Sequence, residues 1–197
     1  MSSDLSARLL RRTALATAVV GFLATALTPS STAKTPAPPL QPIVEAVSLR
    51  LATADVVASA KWGTPSPIDD PAREIEVLDA MSKTASNEGL SAEWVQRVFR
   101  DQIEANKVVQ RALFAIWGAA PDTAPTVRPD LTHVRPIIDE QDEVILAQLR
   151  EQYTLLNSPD CLPALADATA TVSVNQQLDP LHQAALARAL MSICQVD

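Results

Sequence analysis

The chain has 197 residues, a formal net charge of −7, four glycines and a single tyrosine. That length allows one domain, or one core with an appended segment, and so few Gly and Tyr beside abundant Ala, Leu, Val and Gln exclude a sheet-rich fold. The acidic balance argues against nucleic acid or an anionic membrane as partner, so an anionic ligand would have to be held by local cations against the global field.

The N-terminus reads as an export signal. Arg8, Arg11 and Arg12 precede an apolar run, Ala14 to Leu27, and Ser31-Thr32-Ala33 supplies a small-x-small cleavage pattern. The run of 14 residues is short of the roughly 20 that span a bilayer, which favours a cleaved signal over a retained anchor. No strong twin-arginine motif follows Arg11-Arg12, so the general secretory route is expected. The expected organisation is a signal peptide at 1–33, a disordered proline-rich leader at 34–42 and one helical domain at 43–197. Cleavage after Ala33 removes three Arg and one Asp, leaving 13 basic and 22 acidic residues, or −9.

The first helix is predicted from Ile43 to Trp62, with Ile43, Val47, Leu51, Val56 and Val57 at mostly helical spacing and a bend near Asp55. Arg50 and Lys61 are eleven apart, close to three turns, so they share a side at the flank of the apolar stripe. After a loop from Gly63 to Asp70, Asp70 suits an N-cap and Pro71 the first helical position. Arg73 and Glu74 then fall in the first turn of a helix to about Ser86, with Ile75, Leu78 and Met81 facing inward. Asn87-Glu88-Gly89 stops it.

Ser91 caps a long third helix running to Trp117, whose inner side carries Val95, Val98, Phe99, Ile103, Val109, Leu113 and Trp117. Asn106 and Gln110, four apart, project their amides from one face. Gly118 to Pro129 is a connector. A fourth helix is predicted from about Thr132 to Leu156, with Pro136 and Arg135 at its start and Ile137, Ile138, Val144, Ile145, Leu149 and Tyr153 along it. Cys161 to Val174 and Leu181 to Cys194 form a last helical pair. Cys161 and Cys194 are the only cysteines, and an even pair in an exported chain reads as one disulfide. His133 and His182 lie in no ligand spacing, so no metal site is expected. The fold class is therefore all-α: one bundle of about six helices, its C-terminal pair tied by the disulfide.

Taken singly, these polar residues have bland readings: Asp70 as a cap, Glu74 as a first-turn acid, Arg50 and Lys61 as solvated cations. Taken together, RLATADVVASAKW (Arg50–Trp62), PIDDPARE (Pro67–Glu74) and QIEANKVVQ (Gln102–Gln110) occur in an order and at gaps that resemble the secreted, monofunctional branch of the all-helical chorismate mutases. The resemblance covers about Gln41 to Asp197. It implies an isomerase of the aromatic amino acid route, secreted or periplasmic, that turns chorismate into prephenate without a cofactor.

Carried over by position, the resemblance implies that Arg50 and Arg135 each grip a substrate carboxylate. Lys61 and Gln110 would donate to the ether oxygen, Glu74 would accept from the hydroxyl with Asp70 alongside, and Arg73 and Asn106 would complete the shell. Arg135 lies in the least similar stretch. Some members carry Glu where this chain has Gln110. The residues themselves agree with such chemistry: cations, amides and carboxylates, with no Ser-His-Asp context, reactive thiol or HExxH. The competing class is a non-enzymatic envelope protein that captures a small dianion in the same pocket. The expected partner is the small-molecule substrate, with monomer and homodimer both open.

Overall fold

The computed structural model describes residues 37–195; the expected signal peptide and the first part of the leader lie outside the described residues. Those residues form helices and turns only. Seven α-helices follow in order: α1 (Gln41–Lys61), α2 (Pro71–Asn87), α3 (Ala92–Ala119), α4 (Arg135–Glu151), α5 (Tyr153–Leu156), α6 (Cys161–Asn175) and α7 (Pro180–Ala189). Two short 3-10 turns, Pro121–Thr123 and Leu131–His133, lie in the connector between α3 and α4.

Helix α1 is the centre of the bundle, packing on α3, α4, α6 and α7. The sequence suggests one apolar stripe, but Ile43, Val44, Ala46, Val47, Leu51, Ala54 and Ala58 are buried on several sides. A helix surrounded by others must be apolar nearly all round, and its alanines let neighbours approach closely. It begins two residues ahead of the expected start, and Leu40, assigned to the disordered leader, is fully buried. It runs without a break through Asp55.

Helix α2 starts as its sequence predicts. The Asp70 carboxylate accepts from the Arg73 backbone N–H at 3.2 Å, with Pro71 at the first position. It ends in a Schellman arrangement: Leu90 N–H donates to Ala85 O at 2.9 Å and Gly89 N–H to Ser86 O at 3.3 Å. Gly89 has φ +77°, which a side chain would resist. Leu78 points inward, but Ile75 is 59% exposed. Helix α2 packs mainly on α3, so a single narrow face is covered and Ile75 lies off it.

Helix α3, of 28 residues, is about 42 Å long and runs past α1, α2 and α7. Ser91 caps it by accepting from Trp94 N–H at 3.3 Å. Gln102 Nε2 donates to Ala189 O at 2.8 Å, and Arg188 pairs with Asp101, which fixes the α7 end. The predicted fourth helix divides. Helix α4 starts at Arg135, with Pro136 in its first turn, and the run breaks at Gln152 before the one-turn α5. Ile145 and Leu149 are buried, whereas Ile137 and Val144 are exposed, because α4 rests mainly on α1 and offers a narrow inner face; Tyr153, at the start of α5, is exposed too.

The last helix is shorter than predicted: α7 ends at Ala189 and the chain turns through 190–195. Cys161 is bonded to Cys194, tying the start of α6 to that turn. Closing a loop of 33 residues contributes about 3–4 kcal/mol in the chain-entropy model.

A second tie joins α7 to α1. His182 Nδ1 lies 2.7 Å from Asp179 Oδ2, and its Nε2 lies 2.9 Å from Asp55 Oδ2. Burial opposes protonation of this ring, but the hydrogen bonds to Asp55 and Asp179 outweigh it, so its pKa is raised above 6.5. A raised folded-state pKa means that the contribution is complete below the unfolded value and is lost as pH climbs through the folded one. Thermal midpoints measured between about pH 5.5 and 8.5 should therefore favour wild type over His182→Asn most at low pH. A gap that stays constant or widens with pH would count against the tie.

Candidate active site

One cavity of about 190 Å³ opens between the C-terminal half of α1, the start of α2, the middle of α3 and the start of α4. All eight residues singled out in the sequence line it. Helix α1 supplies Arg50 and Lys61, the start of α2 supplies Asp70, Arg73 and Glu74, α3 supplies Asn106 and Gln110, and α4 supplies Arg135. Val57, Ile68, Val77, Ile103, Leu131, Val134 and Ile138 make the apolar part of the wall. The volume is below the roughly 300–1,000 Å³ of drug-sized sites, which suits one compact metabolite.

Arg50 is 5% exposed, and its Nε donates to Asp142 Oδ1 at 2.5 Å. Its terminal guanidinium nitrogens make no hydrogen bond to the described residues, so they keep the fork that matches a carboxylate. Asp142 is buried as well; burial raises its pKa, and the Arg50 charge only partly offsets that. Lys61 Nζ donates to Ile68 O at 3.1 Å. Burial lowers the Lys61 pKa against the opposing pull of Asp70, Asp69 and Glu74.

The amides form a short relay. Thr53 Oγ1 donates to Arg50 O at 2.7 Å, Asn106 Nδ2 reaches Thr53 Oγ1 at 3.4 Å, and Gln110 Nε2 donates to Asn106 Oδ1 at 2.6 Å. Gln110 is 3% exposed, and its Oε1 has no partner. An amide has two N–H donors, so Gln110 keeps one beyond its bond to Asn106. Arg73 is more peripheral: it pairs with Glu76 at 3.0 Å and lies 3.8 Å from Asp139.

Arg135 is the first residue of α4, where the helix dipole disfavours a cation. Stability alone would prefer an acid there. With the helix N-terminus behind it, the guanidinium suits an incoming carboxylate.

The sequence reading missed two residues here. Asp142 stands at the spacing of the half-buried Ile138 and the buried Ile145 and Leu149, so an acid on that face was a legible signal of a buried partner. Lys107 lines the cavity and is 7% exposed. It sits four residues after Ile103, on the inner side of α3. Counting it, five basic and three acidic side chains line the cavity. A local excess of two positive charges inside a chain of net −7 complements a dianion.

A family model described as chorismate mutase type II matches residues 41–111, a span that holds every one of the eight residues except Arg135. The chain is 37% identical over 180 residues to the secreted chorismate mutase of Mycolicibacterium smegmatis, covering 91% of this chain and 99% of the relative. It is 35% identical over 156 residues to that of Mycobacterium tuberculosis, covering 79% and 78%. The crystal structure of chorismate mutase from Burkholderia phymatum superposes with a TM-score of 0.76 at 39% identity, covering 80% of this chain and 97% of the other. With such identity over nearly the whole of a relative, the chain belongs to the type II chorismate mutase family.

Proposed function

We propose that this cavity rearranges chorismate to prephenate, with Arg50, Lys61, Arg73, Glu74, Asn106, Gln110 and Arg135 contacting the substrate and Asp70 supporting them. The observation that carries the reading is the convergence of these residues, drawn from positions 50 to 135, on one small cavity of net positive lining. Among the described lining residues there is no Ser, Thr, Cys, His or Tyr side chain, which agrees with a reaction that needs no covalent step. Family membership supports the same activity.

Chorismate carries two carboxylates, a hydroxyl and a bridging ether oxygen. Its pericyclic rearrangement breaks the C–O bond ahead of C–C formation, so negative charge gathers on the ether oxygen. Arg50 and Arg135, on α1 and α4, would hold the two carboxylates and so the compact diaxial conformer, which saves entropy at the barrier. Lys61 and Gln110 would give fixed donors where the charge develops. For Lys61 this means exchanging the Ile68 carbonyl for the ether oxygen. Gln110 would use its second N–H. Glu74 would accept from the hydroxyl.

Export belongs to the same reading. The two mycobacterial relatives are named as secreted, and the disulfide suits an oxidising compartment. The test is to express the full chain in an exporting bacterium, purify it from outside the cytoplasm, and follow chorismate loss and prephenate formation. Turnover by material whose N-terminus reads near Lys34 is expected. Chorismate binding without turnover would favour the capture protein instead, and an N-terminus at Met1 would rule out cleavage.

A further inference from the structure

We propose that Lys107 is a positioning residue of this reaction, holding the Glu74 carboxylate ready for the substrate hydroxyl and pinning the loop that precedes α2. Nothing in the mechanism above uses this lysine, yet it is buried at the cavity wall. An ammonium there is costly unless it is fully paired. Three carboxylates surround it: Glu104 at 2.6 Å, Glu74 at 3.1 Å and Asp69 at 3.2 Å. Glu104, one turn back on α3, would be enough to neutralise it. The other two come from the far side of the site.

The contact with Glu74 has a particular form. Lys107 Nζ lies 3.1 Å from Oε1 and 3.3 Å from Oε2, so the carboxylate is gripped through both oxygens and its plane is set. Each oxygen retains a lone pair for another donor. The same Nζ reaches Asp69, which Arg111 Nη2 also binds at 2.7 and 2.9 Å. The residue before it, Ile68, offers its carbonyl to Lys61 Nζ. One ammonium on α3 thus fixes the hydroxyl acceptor and, through the loop, the resting partner of the ether donor.

Removing that ammonium would have a defined consequence. Glu74 shares the cavity with Arg50, Lys61, Arg73 and Arg135. An unrestrained carboxylate would pair with one of these cations and take a donor away from the substrate. Lys107 prevents this by holding the Glu74 carboxylate in place from behind while leaving it free to accept from the hydroxyl.

The proposal rests on the reading of Glu74 given above, and a double-mutant cycle separates the two. Glu74→Gln, Lys107→Met and the double variant are assayed for kcat/KM, with folding checked by circular dichroism and thermal midpoint. Lys107→Met should lower kcat/KM about tenfold or more in the wild-type background. In the Glu74→Gln background the same change should cost markedly less, because the Glu74 carboxylate is gone and only the loop contact through Asp69 is lost. Lys107→Arg, which keeps the charge, should restore most of the loss. Equal costs in both backgrounds, or no rescue by arginine, would overturn the positioning role. Should Glu74→Gln itself leave kcat/KM within about threefold of wild type, the reading of Glu74 falls and this proposal with it. Lys107→Gln takes the place of Lys107→Met in the cycle if the methionine variant does not fold.

Discussion

Arg50→Ala should cost at least about 3 kcal/mol of transition-state stabilisation, more than a hundredfold in kcat/KM. The guanidinium fork that would meet a substrate carboxylate disappears, and each of its two charge-assisted contacts is worth about 1.5–3 kcal/mol. In addition, Asp142 is left buried without its partner, which destabilises the fold by about 3–5 kcal/mol. The second effect must be separated from the first, so the assay is run well below the variant's thermal midpoint. Asp142→Asn is the companion variant, since it keeps Arg50 and its size while removing the anchoring charge. Arg50→Ala with kcat/KM within about threefold of wild type would mean that Arg50 serves Asp142 alone and that the site is misplaced.

Gln110→Glu should turn a flat pH profile into a steep one. A neutral amide donates at any pH, so wild-type kcat/KM should vary little between about pH 5 and 8. The substituted acid donates only while protonated; its carboxylate would repel the developing oxyanion, so activity should survive at low pH and collapse toward neutrality. The position sharpens this expectation. It is nearly inaccessible to solvent, and desolvation favours the neutral acid, while the nearby Lys61 ammonium favours the anion. Asn106 now accepts from Gln110, and a glutamate carboxylate would force that amide to turn round. Superimposable pH profiles would show that residue 110 does not face the breaking bond, leaving the fold intact and the mechanism wrong.

The placement of the lining residues on their helices is legible locally, while their grouping into one site comes from the resemblance of the three motifs. The eleven-residue interval between Arg50 and Lys61 and the four-residue interval between Asn106 and Gln110 are rotations about single helices. Asp70, Pro71, Arg73 and Glu74 follow from the chemistry of one helix start. The even pair of cysteines in a chain with an export-like leader was enough to expect the Cys161–Cys194 bond. These features depend on a few turns of backbone, whose geometry is fixed by 3.6 residues per turn and by the orphan N–H groups at a helix end.

Only the tertiary structure decided which faces are covered and which charges meet. Ile75 reads as inward by periodicity, yet α2 has one main neighbour and this side chain lies beyond its reach, as do Ile137 and Val144 on α4. Helix α1 reads as amphipathic but is enclosed on several sides. Asp142 meets Arg50 across 92 residues, and Lys107 meets Glu74 across 33. Periodicity tells a side chain which way to face along its own helix. Whether another helix or solvent stands there, and whether a buried cation finds its counter-ion, depends on packing between segments far apart in the chain.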